Sequence, residues 1–168
     1  MSIELRTMTP EEFEIFYRWS LEQHVQELME EENLSRDAAI REAEAELTQM
    51  LPRGLDTPHQ QLMTIAETDG GAVGFLWSLH EETEGRSQSF LCDFAIWEHC
   101  RRKGYATAAL VLMEQRAAAA GCLESVLFVA DRNTAASALY EKNGYRVLRK
   151  SSYGTYMIKQ IGHKEICL

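Results

Sequence analysis

The sequence predicts a mixed α/β domain built on a central β-sheet, and three observations support this fold class. Apolar residues recur at helical spacing between Phe13 and Met50. Short apolar runs separated by glycine-containing turns follow between Leu62 and Ile96, as expected for paired strands. Helical and strand patterns then alternate as far as Ile161. We therefore expect one domain over residues 1–162 and a C-terminal tail over residues 163–168.

The N-terminal part is predicted to form a strand and two helices. Residues 3–6 are a short strand candidate. The segment T-P-E-E at residues 9–12 carries a capping box with proline at the first helical position, so a helix should begin there. Ser35 is the expected cap of the second helix. The loop LPRGLDTPH, at residues 51–59, ends this helical part because it contains two prolines and a glycine.

The remaining elements follow in the order three strands, helix, strand, helix and two strands. Turns are expected at residues 69–71 and 81–87, and Gly121 should close the longer helix. The predicted strands lie at residues 62–67, 73–79, 89–96, 125–130, 146–150 and 155–161, and the predicted helices at 104–120 and 133–142.

Composition excludes several classes of function. The 168 residues carry a formal net charge of −9, so the broad basic surface that nucleic acid requires is not expected. An acidic surface instead favours cationic partners. No apolar run approaches the roughly 18 residues of a membrane span. The four cysteines form no C-x-x-C pair, so we expect no metal site and a reducing cytoplasmic location.

The stretch CRRKGYATAAL, at residues 100–110, has the features of an anion site. Backbone N–H groups in the first turn of a helix have no intrahelical partner, and the helix dipole favours negative charge there. Gly104 would let a phosphate approach the backbone closely. The alternative is a charged surface turn without a ligand. The motifs GxxxxGK[ST], GxGxxG, GxSxG and HExxH are absent, which disfavours P-loop, Rossmann, serine-hydrolase and zinc-protease sites.

Two segments resemble the GNAT N-acetyltransferase family. RRKGYA, at residues 101–106, resembles the R/Q-x-x-G-x-G/A acyl-CoA loop of that family, with Ala106 in place of the common second glycine. NTAASALYEKNGY, at residues 133–145, resembles the downstream N-x-x-A-x-x-L-Y-x-x-x-G-F segment, with Tyr145 in place of phenylalanine. LPRGLDTPH together with DFAI and RRKGYA further resembles the YycN-like bacterial subgroup. The resemblance implies a GNAT fold, with a central, mostly antiparallel sheet of about six to seven strands flanked by helices.

The resemblance also implies acetyl-CoA as co-substrate and a role for each matching residue. The backbone N–H groups of residues 102–107 would hold the pyrophosphate, and the backbone of Ile96 would bind the pantetheine arm and polarise the thioester carbonyl. Tyr140 would give a proton to the departing CoA thiolate. The residues expected to bind the cofactor are Ile96, Arg101, Arg102, Lys103, Gly104, Tyr105, Ala106, Thr107 and Asn133. From the residues alone, Tyr140 also suits a packed core tyrosine and Asn133 a helix N-cap.

The expected reaction, attack of an amine on the thioester, requires a base. Only about one in 10³ of amines with a pKa near 10.4 is unprotonated at pH 7. Asp93 is the first candidate because it places a charge in an otherwise apolar strand. A structural acid paired with a backbone N–H or an arginine is the alternative reading of Asp93. Glu81, Glu82 and His59 are rival bases.

The loop at residues 51–59 is expected to reach the acceptor side, with Arg53 and His59 lining the acceptor site. Acidic helices nearby would suit a cationic acceptor. The resulting hypothesis is an acetyl-CoA-dependent N-acetyltransferase for a primary amine of a small molecule or peptide, present as monomer or homodimer. The alternatives are a non-catalytic acyl-CoA sensor, a plain interaction domain, a transferase of longer acyl groups, and a protein N-terminal or lysine acetyltransferase.

Overall fold

The computed structural model describes residues 2–163, in which seven strands and four helices form one layered arrangement. The strands are β1 (Ile3–Thr7), β2 (Gln60–Glu67), β3 (Ala72–Thr83), β4 (Arg86–Ile96), β5 (Glu124–Ala130), β6 (Arg146–Lys150) and β7 (Gly154–Gln160). The helices are α1 (Pro10–Glu31), α2 (Arg36–Met50), α3 (Tyr105–Ala119) and α4 (Thr134–Lys142). The tail predicted at 163–168 falls outside the described residues except for His163, and the domain boundary at 162 stays a prediction.

All seven strands join one sheet in the order β1-β2-β3-β4-β5-β7-β6. The central pair β4–β5 is parallel and every other neighbouring pair is antiparallel. This topology confirms the predicted mixed α/β class and the mostly antiparallel sheet. The long connection through α3 is what allows the two central strands to run in the same direction.

Local capping signals place the first two helices where the sequence predicts them. The Thr9 hydroxyl accepts from the Glu12 N–H at 3.2 Å, and the Glu12 carboxylate accepts from the Thr9 N–H at 2.9 Å. Arg6 also donates to Glu12 at 2.7 and 2.9 Å, and this contact lowers the pKa of Glu12 to about 2. The Ser35 hydroxyl caps α2 by accepting from the Ala38 N–H. The capping box therefore also ties α1 to the end of β1.

The sheet separates two apolar layers. On one face, α1 and α2 cover the aromatic side chains of β3, and the Phe16 ring lies 5.0 Å from Phe75 and 5.9 Å from Trp77, centroid to centroid. On the other face, α3 and α4 cover a cluster that includes Leu76, Leu110, Leu127, Tyr140 and Met157. Residues 75, 76 and 77 alternate between the two layers, as strand geometry requires. None of the helices within residues 2–163 has the length and apolar character needed to cross a membrane.

The β3–β4 hairpin is longer than predicted. A turn was expected over residues 81–87, but the ladder continues to the pair Thr83↔Arg86. Only Glu84 and Gly85 form the turn, with φ values of 53° and 74°. Two consecutive residues of positive φ are the type I′ geometry that fits the twist of paired strands. The residues at this end of the hairpin are mostly polar. Their backbones pair without an alternation of apolar side chains, so the sequence pattern does not reveal that they are strand residues.

Candidate active site

The two central strands separate beyond a bulge in β4. Parallel pairing is confined to four residue pairs, from Gln88↔Glu124 to Leu91↔Leu127. Trp77 of β3 then faces Asp93 while Ser78 faces Leu91, so Cys92 is the extra residue of a β-bulge. β5 continues alongside β7, whereas β4 stays with β3 as far as Ile96. The result is a gap between β4 and β5, which we call the central cleft.

The end of β4 directs backbone groups toward this cleft. The Trp97 N–H donates to the Val73 carbonyl of β3 at 2.8 Å. Because backbone groups alternate in direction along a strand, those of Ile96 point to the opposite side, toward β5. The Ile96 carbonyl accepts from Arg101 Nε at 3.0 Å, which fixes the following loop against the strand end. The Ile96 N–H thereby suits the predicted contact with a ligand in the cleft.

The loop before α3 forms a cradle of unpaired backbone donors. Arg102 and Gly104 have φ values of 63° and 81°, which bend the chain tightly around the helix start. The first hydrogen bond of the helix runs from the Ala108 N–H to the Gly104 carbonyl. Among residues 2–163, no hydrogen bond takes up the backbone N–H groups of Arg102, Lys103, Gly104, Ala106 or Thr107. Successive free N–H groups at a helix N-terminus are an anion-binding arrangement.

Side chains of this loop divide into structural and exposed ones. The Tyr105 side chain is buried in the α3 layer and its hydroxyl contacts the Glu67 carboxylate. Arg101, Arg102 and Lys103 are all exposed, and Arg101 is in addition held by the Ile96 carbonyl. A Cβ added at Gly104 would meet no atom within 4 Å, so the space above the cradle is open. The Tyr105 ring therefore packs against the protein and does not face a ligand.

Asp93 lies at the bulge, is half-buried, and directs its carboxylate toward α1. The Ser20 hydroxyl of α1 donates to it at 2.6 Å. Burial raises the pKa of Asp93 to about 6; the Ser20 hydrogen bond opposes this rise and the nearby Glu27 charge adds to it. A carboxylate with this pKa is mainly ionised at neutral pH yet basic enough to accept a proton.

Tyr140 of α4 has the properties of a neutral proton donor. Its side chain is 8% exposed, and no residue from 2 to 163 hydrogen-bonds its hydroxyl. Burial and the charge of Asp93 raise the pKa of Tyr140 to about 12, so the phenol keeps its proton at neutral pH.

Asn133 performs the N-cap role considered from the sequence. Its side-chain carbonyl oxygen accepts from the Ala136 N–H at 3.2 Å. The amide NH₂ makes no hydrogen bond with residues 2–163, so a donor remains for a ligand.

A cavity of about 290 Å³ opens beside Asp93, between the sheet and the first two helices. Its floor is apolar and its rim is polar and mostly acidic. The floor contains Leu47, Met50, Trp77, Phe90 and Phe128, and the rim contains Ser20, Gln23, His24, Glu27 and Glu46. A second cavity of about 400 Å³ shares His24, Glu27, Glu46 and Phe128 with the first and adds Glu31 and Glu32. We call the two together the acceptor cavity.

His24 links the two helices across this cavity, and sequence reasoning missed it. Its ring nitrogens contact the carboxylates of Glu27, at 3.7 Å, and of Glu46 on α2. Hydrogen bonding to Glu27 raises the pKa of His24 to about 9, so the ring is cationic at neutral pH. Ser20, His24 and Glu27 lie four and three residues apart on the helix face that begins with buried Phe16. Polar residues on an otherwise apolar helix face were the signal that could have revealed this site.

The predicted acceptor-site residues Arg53 and His59 and the rival bases Glu81 and Glu82 lie elsewhere. His59 lines another cavity, of about 540 Å³, together with Glu81 and Glu82 near the β3–β4 turn. That turn is at the opposite end of the two strands from Ile96. Arg53 is exposed, donates to the Asp56 carbonyl at 3.5 Å, and does not line the acceptor cavity. No contact supports a substrate role for Arg53 or His59, and these roles stay predictions. Residues 2–163 contain no group of three potential metal ligands suitably placed for an ion.

Comparison with known proteins gives a family for this chain. The profile of the acetyltransferase (GNAT) family matches residues 13–145. YycN of Bacillus subtilis (strain 168), called an uncharacterised N-acetyltransferase, is 33% identical over 147 residues, which cover 87% of this chain and 94% of YycN. The crystal structure of YycN superposes with a TM-score of 0.82, covering 89% of this chain and 96% of that one.

A more distant structure has the same fold. The PaiA N-acetyltransferase of Thermoplasma acidophilum, solved in complex with coenzyme A, is 20% identical with a TM-score of 0.68, and the match covers 95% of this chain and 99% of that one. The sequence and structural similarity to YycN confirms the predicted resemblance to YycN-like proteins. The chain is therefore an acyltransferase and belongs to the acetyltransferase (GNAT) family.

Proposed function

We propose that this protein transfers the acetyl group of acetyl-CoA to a cationic primary amine of a small molecule or peptide. The observation that carries the proposal is the central cleft. The anion cradle and the backbone of Ile96 adjoin it, Asp93 with its raised pKa lies at the bulge where it opens, and Tyr140 packs in the same buried cluster as Ile96. These are the groups that acetyl transfer from a thioester to an amine requires.

The cradle accounts for cofactor binding. The pyrophosphate of acetyl-CoA would accept hydrogen bonds from the free N–H groups of the cradle, with Arg102 and Lys103 adding attraction. The pantetheine arm would then extend along the edge of β4, and Asn133 would face it from the other side of the cleft. PaiA, which shares the fold, was solved with coenzyme A, and this supports a CoA-type ligand.

The chemistry is a direct transfer. Asp93 accepts a proton from the ammonium group of the acceptor, directly or through water, and the free amine attacks the thioester carbonyl. The Ile96 N–H donates to the carbonyl oxygen as negative charge develops on it. The C–S bond then breaks and Tyr140 protonates the CoA sulfur. The new amide loses its extra proton, which restores the Tyr140 phenol through water, and Asp93 releases its proton to solvent, so one proton is released in each turnover. No covalent acetyl-enzyme is required, since the amine reaches the carbonyl directly.

The acceptor cavity supports a cationic amine. Glu27, Glu31, Glu32 and Glu46 surround its mouth, whereas His24 is its one cationic group among the lining residues. The apolar floor beside Asp93 suits the carbon chain or ring that bears the amine. An acidic rim concentrates positively charged ligands at the cavity.

Tyr140→Phe is expected to lower kcat by about 10²-fold because it removes the proton donor to the thiolate. The acetyl-CoA Kd should stay within about twofold, since the phenyl ring keeps the packing of α4. CoA release can be followed with a thiol reagent, and the Kd by calorimetry. Undiminished kcat in the variant would exclude Tyr140 as the donor. The control is Tyr17→Phe, which lies on α1 outside the acceptor cavity and should leave both values unchanged.

A further inference from the structure

The segment that ends α4 packs two tyrosines against each other. Gly144 has φ 93°, its N–H donates to the Glu141 carbonyl, and the Tyr145 N–H donates to the Tyr140 carbonyl at 3.0 Å. This pair of bonds is a Schellman motif, in which the residue after the glycine commonly contacts the residue five positions before it. The Tyr140 and Tyr145 rings meet edge to face, with centroids 5.7 Å apart. The spacing Y-x-x-x-G-Y thus encodes the contact.

The Tyr145 ring is itself anchored at its far end. Its hydroxyl forms a hydrogen bond of 2.7 Å with the hydroxyl of Ser125 on β5. Ser125 is fully buried and Tyr145 is 4% exposed, so the bond is shielded from water. The ring is therefore tied to the sheet through its hydroxyl and to α4 through its backbone.

A partly buried ion pair lies beside this ring. Lys159 Nζ of β7 lies 2.7 Å from Glu114 Oε2 of α3 and 5.9 Å from the centre of the Tyr145 ring. The side chain of Glu114 is only 10% exposed. Tyr145 consequently has β5, β7, α3 and α4 around it, and its ring has little freedom to rotate away from Tyr140.

We propose that Tyr145 is a positioning residue that holds the Tyr140 hydroxyl in place for proton transfer, through the ring contact and the Ser125 hydrogen bond. The inference rests on the proposed function, in which Tyr140 is the donor. A phenylalanine at position 145 would keep the Schellman motif and most of the ring contact but would release the anchor on β5. The hydroxyl of Tyr145 therefore contributes to catalysis without touching the substrate.

The test is a double-mutant cycle on the full-length chain with putrescine as acceptor probe. Tyr145→Phe should lower kcat about tenfold, the scale of effect expected from slight misplacement of a catalytic group, with an unchanged acetyl-CoA Kd. In a Tyr140→Phe background the same change should have no further effect, since no donor is left to position. Ser125→Ala should reproduce the fall in kcat, and thermal melts check that each variant is folded.

Equal losses in both backgrounds would overturn the proposal, because a purely structural role is independent of Tyr140. A Tyr140→Phe variant as active as wild type would instead show that the donor assignment has failed. A readout without turnover comes from aromatic ¹³C NMR, in which the Tyr140 signal is assigned by its loss in Tyr140→Phe. That signal should shift or broaden in Tyr145→Phe and not in Tyr17→Phe; an unchanged signal overturns the proposal.

Discussion

The Gly104→Glu variant is expected to remain folded and to bind acetyl-CoA at least about 100-fold more weakly than wild type. This factor corresponds to the ~3 kcal/mol that the loss of charge-assisted hydrogen bonds costs. The glutamate carboxylate would accept hydrogen bonds from the free N–H groups of the cradle and would repel the pyrophosphate. The added side chain meets no atom within 4 Å at its Cβ, so a clash with the protein is not the cause. Calorimetric titration with acetyl-CoA measures the effect.

Gly104→Ala is the matched control for this experiment. At φ 81° any side chain costs about 1–2 kcal/mol of backbone energy, and alanine incurs this cost without adding charge. Both variants should therefore lose similar thermal stability, while alanine, which adds only a methyl group and no charge, should lose much less affinity than glutamate. Equal affinity of wild type and Gly104→Glu would show that the loop is a charged helix start without a phosphate ligand.

Asp93→Asn is expected to lower kcat/KM by about 10²–10³-fold at pH 7 because it removes the base and preserves side-chain volume. The dependence of kcat/KM on pH distinguishes a base from an acid at this position. A base acts in its deprotonated form, so wild-type kcat/KM should be low in acid and rise through about pH 6, the raised pKa of Asp93. The asparagine variant should lack this rise. Rates are measured with putrescine between pH 5 and pH 8 in steps of about half a unit.

Ser20→Ala provides the complementary test. The Ser20 hydroxyl donates to the Asp93 carboxylate at 2.6 Å and stabilises its charged form. Its removal should move the acid limb of the profile to higher pH and leave the plateau rate nearly unchanged. An Asp93→Asn variant with wild-type activity and an unchanged profile would mean that Asp93 is a structural acid.

Local signals made much of this fold predictable from the sequence. The capping box at Thr9 and Glu12, the cap at Ser35, and Gly104 before α3 each act within a few residues, so the chain shows them directly. The Y-x-x-x-G-Y spacing at the end of α4 is of the same kind. The order of elements along the chain and the family resemblance then led to the prediction of an anion site before α3.

Other features could not be predicted because they depend on contacts between distant segments. The bulge at Cys92 arises from the register of β4 against β3, which no single strand reveals. The acceptor cavity needs α1 and α2 to meet over the sheet, so the His24–Glu46 contact joins residues 22 positions apart. The sequence predicts that Arg53 and His59 of the loop at residues 51–59 line the acceptor site. In the structure, His59 lines a different cavity, near the β3–β4 turn.

The most direct test of the central claim is amine-dependent release of CoA from acetyl-CoA by the wild-type protein. Putrescine, n-butylamine and n-butanol are compared at equal concentration, with mass spectrometry of the products. We predict CoA release with both amines, an acetylated amine as product, and no release above background with the alcohol. Saturable binding of acetyl-CoA without faster CoA release in the presence of either amine would contradict the proposed function.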